Sequence, residues 1–118
     1  MNYPKSPELI EKVDFKGYKN AGLYLTRFTE DDLPVLFIGN EDEQSVYVIC
    51  NLNPSDMYVL QDFELAIKNY AENEGICEWL INNGYVNKAH DSYKSGWVDV
   101  PICKMTDKLI KIVTEKCQ

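Results

Sequence analysis

The spacing of apolar residues predicts an α+β fold: an antiparallel sheet of four to six strands, one main helix packed on it, and short helices at the termini. Three observations predict it. Short runs of alternating or continuous apolar residues recur through the first half of the chain. Turn-forming pairs at hairpin spacing separate them, which disfavours a parallel, doubly wound sheet. In the second half, a helical stripe is closed by Asn83-Gly84, a left-handed stop signal. At 118 residues and 45% apolar content the chain buries one core and no second, so residues 1–118 are a single domain.

Taken in order, Ser6-Pro7-Glu8 reads as a helix start, with a hydroxyl cap, a proline where no donor is needed, and an acid at the positive dipole end. Leu9, Ile10 and Val13 give that short helix its stripe before Gly17. Gly22–Phe28 alternates as a strand, with Leu23 and Leu25 opposite Tyr24, Thr26 and Phe28. Val35–Ile38 is a short strand between Pro34 and the Gly39-Asn40 turn. Val46–Leu52 is the strongest strand. Val46, Val48, Cys50 and Leu52 face one side and Tyr47, Ile49 and Asn51 the other, and bulk on both faces suits a central position. Asn53-Pro54-Ser55-Asp56 has turn chemistry. Phe63–Tyr70 fits both periods and is read as a strand. Asn73–Asn83 is the main helix, with Asn73 as cap and Ile76, Trp79 and Leu80 facing inward. Trp97–Met105 is a strand in which Pro101, lacking a donor, belongs at an edge or bulge. Thr106 caps a last helix carrying Leu109, Ile112 and Val113.

Nineteen acids against twelve bases give a net charge of −7, the wrong sign for direct nucleic-acid binding. The longest apolar runs are too short to span a bilayer, and the first residues lack a secretory signal, so a cytoplasmic location is expected. Cys50, Cys77, Cys103 and Cys117 are separated by 27, 26 and 14 residues, looser than a stapled secreted module, and are expected to be reduced thiols. Charge is unevenly spread. Residues 28–80 hold twelve acids and one base, net −11, while the flanks net +4. The runs Glu30-Asp31-Asp32 and Glu41-Asp42-Glu43 flank Val35–Ile38 and are candidate contacts for a basic partner, the alternative being solvated loops.

Catalytic constellations are sparse. His90 is the one histidine, in a polar stretch over Lys88–Tyr93 read as an exposed loop, and no Cys-x-x-Cys or His-x-x-x-His pair enforces a metal site with Cys77 and Cys103. Cys50 and Cys103 lie in apolar strands as small hydrophobes, and Cys117 is read as an exposed tail thiol. Glycine-rich phosphate loops and a Gly-x-Ser-x-Gly elbow are missing from the sequence, and Glu72 and Glu74 diverge in any regular structure. No catalytic residue, metal or cofactor is assigned. Tyr93 and Trp97 bracket Lys94-Ser95-Gly96 and are candidate partner-binding residues; the competing reading has Trp97 covering the sheet from an edge strand.

Four segments, in order, carry a resemblance: Tyr18-Lys19-Asn20-Ala21-Gly22-Leu23-Tyr24-Leu25, Val48-Ile49-Cys50-Asn51-Leu52, Asn69–Leu80, and Ser95-Gly96-Trp97-Val98-Asp99-Val100-Pro101. Together, over roughly residues 18 to 104, they resemble a small bacterial family catalogued as domain of unknown function 4313, with its Tyr-x-Asn-x-x-Leu strand start, Asn-Leu strand end and Ser-Gly-aromatic…Pro close. Phe28–Ser45 is longer and more acidic than that pattern. The resemblance implies no activity and no catalytic residue. It implies an accessory protein of gut Firmicutes and Bacteroidetes, often in conjugative or phage-derived elements. The expected function is therefore non-enzymatic protein binding. The rivals are an acidic decoy for a DNA-handling protein and a small enzyme using the acids near Asn69–Glu74.

Overall fold

A computed structural model describes residues 2–54 and 57–117 and shows an α+β architecture. Strands β1 (Glu8–Lys12), β2 (Ala21–Arg27), β3 (Pro34–Asn40) and β4 (Val46–Ile49) form an antiparallel meander in that spatial order. Strands β5 (Asn51–Leu52), β6 (Glu64–Ile67), β7 (Asp91–Ser95) and β8 (Val98–Lys104) form a second antiparallel sheet, ordered β5-β6-β8-β7. Each sheet has four strands, within the expected range, but there are two of them. Helices α1 (Ile76–Asn82) and α2 (Asp107–Lys116) complete the fold, and a 3₁₀ turn covers Ala71–Asn73.

One core joins both sheets. Leu23, Leu25, Leu36, Ile38 and Val48 from the meander meet Leu65, Ile67 and Cys103 from the second sheet, and Ile76, Leu80, Leu109 and Val113 from the helices close it. A smaller cluster lies on the other face of the second sheet, where Ala66, Val100 and Ile102 are covered by Leu52, Tyr58, Leu60, Tyr70 and Tyr93.

The strands expected over 22–28 and 35–38 are present as β2 and β3; of the strand expected over 63–70 only Glu64–Ile67 forms, as β6, and Thr106 caps α2 by accepting the Leu109 N–H at 3.2 Å. Asn83 and the left-handed Gly84 end α1 as the sequence implies. The first helix is corrected. Glu8–Lys12 is strand β1, paired with Gly22–Leu25 across a bulge between Leu9 and Glu11. A stripe this short makes a marginal helix, whereas the open edge of β2 offers it a full ladder. The bulge lets Leu9 cover Gly22 on the outer face while Ile10 packs against the core.

The run Val46–Leu52 is also corrected. It is two edge strands, not one central strand, and the chain changes sheets at Cys50. The Cys50 N–H donates to Leu36 C=O in β3 at 2.8 Å, while its C=O accepts the Lys68 N–H, just past β6, at 2.9 Å. Asn51 covers the gap this leaves. Its side-chain Oδ1 accepts the Leu36 N–H (2.8 Å) and its Nδ2 donates to Pro34 C=O (2.9 Å), so a buried amide stands in for a missing strand. The face expected to hold four residues divides accordingly: Val48 and Cys50 enter the core, Leu52 the second cluster, and Val46 faces solvent.

Asn73 does not cap α1. It lies in the 3₁₀ turn, buried, donating from Nδ2 to Ile49 C=O, and Asn69 Oδ1 instead accepts the Gly75 and Cys77 N–H groups at 3.2 and 2.9 Å. Pro101 lies in an inner strand, yet β6 pairs only with Ile102–Lys104, so β8 has one neighbour at Pro101. Of the expected turn at 53–56, Ser55 and Asp56 lie outside the described residues.

Candidate interaction surface

The two acidic runs do not share a face. Glu30-Asp31-Asp32 lies in the β2–β3 connection and Glu41-Asp42-Glu43 in the β3–β4 connection. Seven residues of β3 hold them about 20 Å apart. Each is engaged locally. Asp31 accepts the Leu33 N–H at 3.2 Å and the Asn53 amide at 2.5 Å, and Asp32 pairs with Arg27 at 3.5 Å. Asn40 Oδ1 accepts the Asp42 and Glu43 N–H groups, which shapes the second turn, and Glu41 pairs with Lys12 at 3.6 Å. The side chains of Asp31, Asp32 and Glu41 are thus engaged beside their own turns, while Asp42 and Glu43 are held there through their backbone N–H groups. The two runs stand at opposite ends of β3.

Tyr93 and Trp97 are placed together on the β7–β8 hairpin. Asp91–Ser95 is a strand, not the loop its polar composition suggests, because an edge strand with one apolar residue meets β8 along its whole length. Ser95 pairs with Val98, leaving Gly96 and Trp97 as a two-residue turn, and Gly96 takes the positive φ of +62° that such turns require. Trp97 sits at the tip and is 100% exposed. It does not cover the sheet.

Below the tip, the outer face of the second sheet is lined with tyrosine. Tyr58 and Tyr93 stack at 6.0 Å between centroids, and Lys68 lies over the Tyr70 ring at 5.9 Å. Burial holds the Tyr93 phenol above its ordinary value, and Tyr70 adds to this. The Tyr58 hydroxyl donates to Asp91 Oδ2 at 2.9 Å, which raises the phenol; Asp91 is held low by the Ser92 N–H first and then by Tyr58. The segment bearing Tyr58 alternates. Tyr58 and Leu60 pack inward, so Met57 and Val59 point outward, Val59 at 80% exposure. This alternation is the signal the sequence held for Tyr58, and it was masked by adjacent turn residues; for Tyr70 no signal marks a surface role.

The remaining candidates are structural or unpaired with chemistry. His90 Nε2 contacts the buried Glu64 carboxylate, not the thiols, and Glu64 also accepts the Gln61 N–H at 2.7 Å. Glu72 forms a surface pair with Lys68 at 2.8 Å that holds its carboxyl low, and Glu74 is exposed. Among the described residues, no three His, Cys, Asp or Glu side chains converge as a metal site, and no helix is long and apolar enough to cross a membrane. Cys117 is half-buried against the core instead of exposed. A cleft of about 320 Å³ on the outer face of the meander is floored by the stacked Tyr24 and Phe37 rings, 5.1 Å apart, and edged by Glu41. Comparison with protein-family models, curated proteins and solved structures finds no match for this chain.

Proposed function

We propose that this chain is a non-enzymatic protein-binding module that engages a protein partner in a reducing, cytoplasmic setting through the β7–β8 hairpin. Trp97 is the anchor, and the tyrosine-lined face beside it is the surrounding contact. The observation that carries this reading is the complete exposure of Trp97 at a turn that any polar residue would satisfy. An indole there leaves about 200 Å² of largely apolar surface in water, worth about 5 kcal/mol if a partner covered it. Tryptophan and tyrosine are the side chains most often found at the energetic centre of interfaces. The resemblance to the accessory-protein family of unknown function fits a role without chemistry of its own.

The test is capture from lysate of the source organism on immobilised parent and on Trp97→Ala, each washed at low and at high salt. A partner kept by the parent at high salt and lost from Trp97→Ala supports the hairpin. A partner held equally by both, and released by salt, transfers the role to the acidic loops and removes this reading.

A further inference from the structure

We propose that Cys77 and Cys103 form a reversible intramolecular disulfide, made by exchange with a low-molecular-weight disulfide, that fastens α1 to β8. The two sulfur atoms lie 3.8 Å apart although the residues are 26 positions apart in sequence. Cys77 lies in the first turn of α1 and Cys103 on the core face of β8, so the contact is made by the packing of helix on sheet. A disulfide needs the sulfurs at about 2 Å, a closure within the reach of small side-chain rotations.

The two thiols are not equivalent, and their surroundings assign the roles. Both are buried, but Cys103 is 0% exposed and Cys77 8%, so Cys77 is the thiol nearer solvent. The Cys103 S–H donates to the Cys77 sulfur in the arrangement that favours a Cys77 thiolate, and this holds the Cys77 thiol below its ordinary value. Cys50, by contrast, is enclosed in the core, and burial pushes its thiol up to about 12. In the first step the Cys77 thiolate attacks one sulfur of the small disulfide, forming a mixed disulfide and expelling one small thiolate. Cys103 then gives up its proton and attacks Cys77 Sγ, expelling the second small thiolate. The two protein thiols are oxidised, the small disulfide is reduced to two thiols, and an added dithiol runs both steps backward. The closed loop, residues 77 to 103, contains β7, the turn with Trp97 at its tip, and β8 up to Cys103.

The experiment is peptide mapping without reductant, on the folded parent protein incubated with oxidised glutathione and quenched in acid. The expected product is a cross-linked Cys77–Cys103 peptide, with the intact protein about 2 Da lighter and restored by dithiothreitol. Its melting temperature should rise by on the order of 10 °C, because a loop of this length is constrained in the unfolded chain. In Cys103→Ser, with no second thiol to displace it, glutathione should remain on Cys77. The proposal is overturned if the parent accumulates glutathione on Cys77 while Cys103 stays free. It is equally overturned if Cys77 stays unmodified in the folded protein but reacts in urea. Both outcomes are read on the parent, so the folding of a variant does not enter.

Discussion

Asn51 carries more structure than its size suggests. Its amide holds the Leu36 N–H and Pro34 C=O at the place where main-chain pairing has left for the other sheet. Asn51→Ala should therefore cost about 2–5 kcal/mol, since two buried backbone groups lose their partners at once, and urea unfolding measures it. Its neighbour Cys50 gives a pH prediction. Burial raises its thiol from an ordinary 9.0 to about 12, and burial, with smaller contributions from Cys117 and Asp62, raises the Tyr3 phenol from 10.0 to about 12. Both groups are favoured neutral in the folded state, so their stabilisation is complete below pH 9 and is lost as pH climbs through 9–12. The urea midpoint should fall between pH 8 and pH 10.5, and Cys50→Ala should fall less than the parent over that interval. The sequence marked Cys50 as core but read Asn51 as one more strand residue. An amide that imitates backbone is invisible until the strand it replaces is known to be absent.

At the scale of elements, the three-strand run β2–β3–β4 has two glycines that test differently. A Cβ on Gly39 would lie 2.7 Å from the Ser45 carbonyl oxygen, which is backbone; on Gly22 it would meet the far end of the Leu9 side chain at 2.6 Å. Gly39→Ala should thus destabilise by roughly 1–3 kcal/mol by pushing β4 off β3, while Gly22→Ala costs less because Leu9 can turn aside. Calorimetry on the two variants gives the order directly. The β7–β8 hairpin behaves oppositely: Trp97→Ala should leave stability within about 0.5 kcal/mol of the parent, since nothing folded contacts the indole. A larger loss on heating would mean the ring is packed. The elements β2, which alternates, and β3, an apolar run between turn signals, were readable from sequence, and so was α2 with its Thr106 cap; β6 was found within a longer segment that fits both periods. Those missed or misjudged, β1, β7 and the divided β4 and β5, are all edge strands. One neighbour and few buried side chains suffice there, so the local pattern is weak and the pairing decides. The hairpin site was legible as residues, in Tyr93 and Trp97, but not as exposure, because a tryptophan at a strand end reads the same whether it packs inward or projects.

For the whole molecule, the charge asymmetry of the sequence does not become a single charged pole. Acidic turns fall at both ends of β3, and local bases answer them, Lys12 at one end and Arg27 at the other. Replacing all six acids of the two runs by their amides should accordingly change stability by little more than the sum of two loosened turns, with urea midpoints converging at high salt, where screened charges no longer differ. The change of sheets at Cys50 has a wider consequence. Each sheet takes an edge strand from one uninterrupted stretch of seven residues, and the core between them is common property. Native-state hydrogen exchange should then find a single cooperative unit, with amides of Leu36 in one sheet and Ile102 in the other opening at the same free energy. A genetic exchange that carried away either sheet would strip an edge from the remaining one and open its interior, so descent has no seam to cut along: this fold passes on as one heritable block or not at all.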